Sequence, residues 1–208
     1  MQGSRINNVE PGFSSAAERN KQPILEVLRD YLKDGQQVLE IGSGTGQHAV
    51  YFGQAFPTVR WQPTDTPDYL PGLQARLGLE APSNVAPALL LDVRMPKWPV
   101  SGCDVLFSAN TLHFMSIECV EQFFRGAGAV LTESALLIVY GPFNYGGEFT
   151  SPGNAAFDQR LKSDDPLRGI RDFEWADGLA RAQGMALQRD VAMPANNRML
   201  IWRKAAAD

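Results

Sequence analysis

Gly42, Gly44 and Gly46 occupy alternate positions at the end of an apolar run, within the stretch VLEIGSGTGQHA over residues 38–49. A glycine-rich turn that leaves a strand and opens a helix lets backbone N–H groups approach a nucleoside or its phosphates. The dinucleotide fingerprint is G-x-G-x-x-G, and here Gln47 falls where its last glycine belongs. Glu40, two residues before the first glycine, says more. Its carboxylate stands close to the turn, where it repels a pyrophosphate and attracts a ligand carrying an ammonium and a sulfonium. Charge therefore favours S-adenosylmethionine over NAD. Ser43, inside the turn, joins the glycines as a candidate cofactor contact.

Asp65 closes the next apolar run, about twenty residues past the glycines, where its two oxygens can accept both ribose hydroxyls. Asp92, with Val93 beside it, closes the third and can accept from the adenine exocyclic amine. Three acids at successive strand ends, with no nearby lysine, suit a cationic adenosyl ligand. The competing reading makes Asp65 and Asp92 caps of the helices that follow.

Such residues need a scaffold that brings strand ends together. Ser15 with Glu18 reads as a capping box, Pro23 as an interruption, and Ile24 to Leu32 as an apolar helical face stopped at Asp34-Gly35. Strands are expected over 38–41, 59–65, 86–93, 103–110 and 135–143. Helices are expected over 46–56, 69–77, 116–130 and 172–182. Two last strands, 185–194 and 198–204, flank the short connection PANN and should pair antiparallel. Alternating strands and helices predict an α/β, doubly wound, Rossmann-like sheet of seven strands, mostly parallel, with an antiparallel C-terminal hairpin. One domain is expected over 1–208, with an arm over 1–13 and a structureless lid-like insertion over 144–170.

The composition is that of a soluble globular chain: 208 residues, 44% hydrophobic, 20% charged. A net charge of −4 without a basic face argues against nucleic acid as the main partner. The apolar run at ALLIVY is too short to span a bilayer, and MQGSRINNVEPG lacks the form of a signal peptide. Cys103 and Cys119 fit neither a disulfide framework nor a zinc site; they read as buried thiols in a reducing cytoplasm.

VLEIGSGTGQHA, the strand-end aspartates and the terminal hairpin together resemble class I S-adenosylmethionine-dependent methyltransferases. SSAAERNKQPILEVL, LFSANTLHFMS, YGPFNYGGEFTSPGNAAFD and NNRMLIWRK further resemble the methyltransferase-like protein 26 family, across residues 13–204. The resemblance implies the fold and the cofactor, with an N-terminal helix over the ligand that brings Arg19 and Asn20 to its methionyl end. It also implies that Asn110, in SANTLHF, is a cofactor or substrate contact. SANT stands where a base- or amide-methylating enzyme carries NPPY.

Methyl transfer needs positioning more than covalent help, and a base only where the acceptor must first lose a proton. His113 is the candidate base, and Tyr140 and Asn144 are candidate catalytic groups. His113, Tyr145 and Phe149 are candidate contacts for a small-molecule substrate, and Arg160, Lys162, Arg168 and Arg171 a local positive cluster. His48 belongs near the methionyl end or serves structure alone. The alternatives are a non-catalytic adenosyl-binding module on the same fold and, less favoured, an NAD-dependent oxidoreductase.

Overall fold

The structure is a computed structural model that describes residues 10–206. In chain order its elements are α1 (Ser15–Leu28), β1 (Gln37–Ile41), α2 (Gln47–Ala55), β2 (Arg60–Asp65), α3 (Leu70–Glu80), β3 (Leu89–Leu90) and β4 (Cys103–Ala109). There follow α4 (Ile117–Val130), β5 (Leu131–Gly141), β6 (Phe143–Asn144), α5 (Pro152–Asp164), β7 (Arg171–Asp172), α6 (Phe173–Ala182), β8 (Met185–Met193) and β9 (Asn197–Lys204). Seven strands form one sheet in the order β3-β2-β1-β4-β5-β9-β8, and β6 pairs with β7 alone. The first five run parallel, and β9 lies antiparallel between β5 and β8. The expected seven-stranded doubly wound sheet with its terminal hairpin is what forms.

Both faces of the sheet are covered, which explains why its central strands read as apolar runs rather than alternations. Val38, Trp61, Val105 and Phe107 pack with Ile24, Phe52 and Leu73 of α1, α2 and α3 on one side. Leu39, Leu106 and Leu137 pack with Phe123, Phe124 and Ala176 of α4 and α6 on the other. The strand order reverses between β1 and β4. Loops leaving these neighbours run to opposite sides and open a crevice at their carboxyl ends, the usual ligand position in such sheets.

Several local expectations change. The cap of α1 is Ser14, whose Oγ accepts the Ala17 N–H at 3.2 Å, so the Ser15 capping box is one residue out of register. Pro23 does not interrupt the helix, which runs through it. The missing hydrogen bond and ring clash cost about 3 kcal/mol, and burial of Ile24, Leu25 and Leu28 at ~1.5–3 kcal/mol each outweighs it. The third strand shrinks to two residues because Pro87 has no N–H to give. Ladder bonds stop at Ala86, which donates to the Trp61 carbonyl, and resume at Leu89. β5 starts earlier than expected, at Leu131, which pairs with Cys103 before a register shift that sets Leu136 against Val105.

The insertion over 144–170 is not structureless. Ser151 caps α5, with Pro152 in the first turn, and β6 and β7 bracket the segment. In the hairpin turn Asn196 is left-handed as expected of Asn, but Ala195 shares that geometry. Cys103 is buried and Cys119 only partly so, and both are free. Of the arm, residues 1–9 lie outside the described residues. No described helix is long and apolar enough to cross a membrane.

Candidate functional site

All three glycines of the turn are left-handed, with φ of 73°, 55° and 77°. The Gly42 and Ser43 N–H groups both donate to the Thr64 carbonyl, at 3.1 and 3.0 Å, and Gly46 donates back to Ser43 at 2.9 Å. Gly44 instead donates to Asp65 Oδ2 at 2.6 Å, tying the tip of the turn to the end of β2. A Cβ on Gly42 would stand 2.2 Å from Thr111 Cγ2, whereas one on Gly44 would meet nothing within 4 Å. The turn is thus closed against the β4 loop and open at Gly44, where a ligand can reach bare backbone.

Asp65 is 6% exposed; Oδ1 accepts the Thr66 N–H at 2.7 Å, and each oxygen keeps lone pairs for a further donor. Burial raises its pKa, and the Gly44 and Thr66 N–H groups pull it back. Glu40 is 1% exposed, with Oε2 accepting from Trp61 Nε1 at 2.9 Å. Burial pushes its pKa up to about 7, against the Trp61 and Ser43 hydrogen bonds. It lies within the core under the turn, where burial weakens the charge argument, and Asp65 marks a ribose without choosing between the two cofactors. Asp92 lies two residues beyond β3. The expectation of uncompensated acids is corrected there: Arg94 pairs with it at 2.5 Å and holds its carboxyl low. Val93 is buried in the α4-side core.

The loop after β4 is braced against the turn. Ser108 Oγ donates to the Ile41 carbonyl at 2.9 Å and also contacts Thr111 Oγ1. Asn110, left-handed at φ 57°, donates its N–H to the Tyr140 carbonyl at 2.8 Å. A Cβ built on Gly141 would lie 3.8 Å from His113 Nδ1 and 3.9 Å from Asn110 Oδ1, so these two side chains converge over the end of β5. His113 is 3% exposed, packed between Phe114 and Phe157 with ring centroids 4.5 and 5.2 Å away. Burial, aided by Arg171, lowers its pKa to about 3, so the imidazole is neutral.

Other candidates are placed apart. The Tyr140 hydroxyl sits against Asn20 and Asn197 on the α1 side, and burial raises its pKa. Asn20 also accepts from His48 Nε2 at 2.7 Å; burial lowers the His48 pKa to about 4. Asn20, His48 and Tyr140 thus join α1, α2 and the sheet, and this is the structural role for His48. Arg19 is exposed and makes no hydrogen bond among the described residues. Tyr145 donates to Asp190 Oδ2 at 2.7 Å and stacks on Phe173, and Phe149 is exposed. Asn144 is 7% exposed, and its Oδ1 has no hydrogen-bond partner among the described residues.

Sequence reasoning missed the parts that hold the turn. Thr111 fills the space beside Gly42, and Trp61 holds Glu40. Arg76 donates to the Thr45 carbonyl at 2.7 Å and to the Gly12 carbonyl at 2.8 Å, while Gln47 accepts the Ser14 N–H at 2.6 Å. The start of α1 therefore lies across the exit of the turn. The Arg76 and Gln47 contacts span 31 to 64 residues, and no local spacing announces them. A separate cavity of about 320 Å³ opens at the amino ends of β1, β2 and β4, away from the turn.

Solved structures with the same fold include SibL, an S-adenosylmethionine-dependent methyltransferase in its apo form, at TM-score 0.76 and 20% identity. Another is an O-methyltransferase family 2 protein from Planctomyces limnophilus in complex with apigenin, at TM-score 0.72 and 18% identity. A third is PigF with SAH, at TM-score 0.77 and 16% identity. The alignments cover 91%, 91% and 90% of this chain and 56%, 60% and 56% of theirs, so it spans little more than half their length. At these identities the likeness establishes the class I methyltransferase fold. A family model matches residues 12–204, nearly the whole chain, and the protein belongs to the family described as Protein of unknown function (DUF938).

Proposed function

We propose that this protein binds S-adenosylmethionine and transfers its methyl group to a small molecule. One observation carries the reading: Gly44, open on its ligand side, is tied through its N–H to the strand-end carboxylate of Asp65. That juxtaposition presents bare backbone beside a buried diol acceptor, as an adenosyl ligand needs. Gln47 in place of the last fingerprint glycine and the fold of the neighbours favour S-adenosylmethionine over NAD. When bound, the cofactor supplies an activated methyl on a sulfonium. The chain's own part is to hold the ribose at Asp65, the adenine near Asp92 and Val93, and the amino-acid end by Gly42, Ser43, Gly44 and Gly46. Arg19, Asn20 and Glu40 support that end, and Asn110 faces the substrate side. The resemblance to the methyltransferase-like protein 26 family agrees with this. The neighbour bound to apigenin supports a small acceptor.

A second reading, an adenosyl-binding module without turnover, draws on the candidate bases: Tyr140 lies on the α1 side of the sheet with its pKa raised by burial, and His113 is held neutral. Thermal-shift titration with S-adenosylhomocysteine and with NADH tests the cofactor. Stabilisation by the first alone is expected, and stabilisation by NADH alone contradicts the reading. Transfer of a labelled methyl from cofactor to any small molecule excludes the non-catalytic module.

A further inference from the structure

Beside the turn, one wall of the site is a continuous run of stacked groups. The Arg160 guanidinium lies over the Phe157 ring at 5.8 Å, and Phe157 meets His113 edge-on. His113 packs on Phe114, and the Arg168 guanidinium lies over Phe114 at 5.6 Å. Phe157 and Arg160 come from α5, Arg168 from the loop after it, and His113 and Phe114 from the loop after β4. This wall joins the insertion to the site.

The four cations in and beside the insertion are not equivalent. Lys162 is paired with Asp158 at 2.6 Å. Arg171 directs its guanidinium at the carbonyls of Leu112, Met115 and Leu167. Arg160 makes no ion pair among the described residues. Arg168 pairs with Asp165 through a loose Nε–Oδ2 contact of 3.6 Å, and among the described residues its buried Nε makes no hydrogen bond. Arg160 is thus open to an anion and Arg168 only loosely held by Asp165, each laid on an aromatic face, with a neutral imidazole between the rings.

The same wall bears on proton chemistry. An acceptor hydroxyl must lose a proton as the methyl arrives and an ammonium before it can attack, and His113, buried and near Arg171, resists taking one. Tyr140 is engaged on the opposite face of the sheet. A carboxylate has no proton to lose.

We infer that the methyl acceptor is the carboxylate of a small aromatic acid, drawn in by Arg160 and Arg168 and seated against Phe114 and Phe157; this rests on the cofactor reading above. A carboxylate oxygen uses a lone pair to form the new O–C bond as the methyl–sulfur bond breaks, its electron pair leaving with sulfur. The product is a methyl ester, the sulfonium and carboxylate charges cancel, and no proton moves.

The test uses the whole protein with S-adenosylmethionine labelled in its methyl group. The probes are benzoate and phenylacetate, with benzyl alcohol, phenol and benzylamine as controls. The expected product from the two acids carries label that alkali releases as volatile methanol, with no labelled product from the controls. The Arg160→Ala/Arg168→Ala double variant should raise KM by roughly tenfold or more with a smaller change in kcat. The wild-type pH profile of kcat should show no basic limb near neutrality. Alkali-stable label on phenol, alcohol or amine overturns the inference, as does acid turnover indifferent to the double variant. No label from any probe while S-adenosylhomocysteine still binds also overturns it and leaves the cofactor reading standing. Failure of S-adenosylhomocysteine to bind the folded protein overturns both.

Discussion

The backbone N–H of Gly44 donates to Asp65 Oδ2 at 2.6 Å, so the tip of the glycine turn and the end of the neighbouring strand form one unit. The bond spans 21 residues and sets the turn before any ligand arrives. Preorganisation of this kind lowers the entropy cost of binding.

Gly42 is held by a steric limit. Gly42→Ala puts a methyl 2.2 Å from Thr111 Cγ2 at a φ of 73°, and should cost about 2–4 kcal/mol in chemical denaturation. Adding Thr111→Ser removes that methyl, keeps the hydroxyl that meets Ser108, and should recover the overpacking part, leaving about 1 kcal/mol of backbone strain. If the second substitution recovers nothing, the Thr111 contact is not what fixes glycine there.

Glu40 makes stability depend on pH. Its folded pKa, about 7, lies above the ordinary 4.5, so the folded state binds the extra proton in that interval. Its contribution is therefore fully present below pH 4.5 and lost as pH rises through 7. His48 and His113 act in the opposite sense. Their folded values, about 4 and 3, lie below 6.5, so their contribution is present above 6.5 and lost as pH falls. Comparing wild type with Glu40→Gln cancels the histidines. The variant should gain on wild type by of the order of 2–3 kcal/mol between pH 4.5 and 8. A difference that stays flat with pH contradicts the assignment.

Asp190 fixes the segment after β5 through Tyr145 and through Arg198, whose Nε donates at 2.7 Å. Asp190→Ala should lower stability by about 1–2 kcal/mol and speed amide exchange around Asn144 and Tyr145 more than in β1. Uniform acceleration across the sheet would instead mark a global loss.

Ser151 caps α5 by accepting the Asn154 N–H at 3.1 Å. Ser151→Ala should cost about 1 kcal/mol in thermal or chemical unfolding, and Ser151→Asp should be nearly neutral. An aspartate as damaging as alanine would show that the hydroxyl serves something other than the helix end.

What the sequence showed and what it hid divide along physical lines. β1, the glycines and Asp65 were legible because an apolar run ending in glycines, then an acid at the next strand end, is set by local geometry. α5 was not, because it buries one large apolar residue, Leu161, and so writes no helical stripe. Polar contacts hold it instead: Asn154 with Thr150 and the Asn196 carbonyl, and Asp158 with the Ile170 N–H. The third strand was overread because Pro87 sits inside an otherwise apolar run. Arg94 was overlooked because the strand expected over 86–93 stops before it, and the bend after β3 folds its side chain back onto Asp92. Tyr140 faces α1 because strand side chains alternate, and the end of β5 has two faces that sequence alone does not distinguish.

The central claim is that Asp65 and the glycine turn hold an adenosyl ligand. It is tested most directly by calorimetric titration of S-adenosylhomocysteine into wild type and Asp65→Ala, with folding of both checked by circular dichroism. The account predicts micromolar binding to wild type and a loss of about a hundredfold or more in the variant, since both ribose hydroxyls lose their acceptor. Equal binding to both folded proteins, or none to wild type, would contradict it.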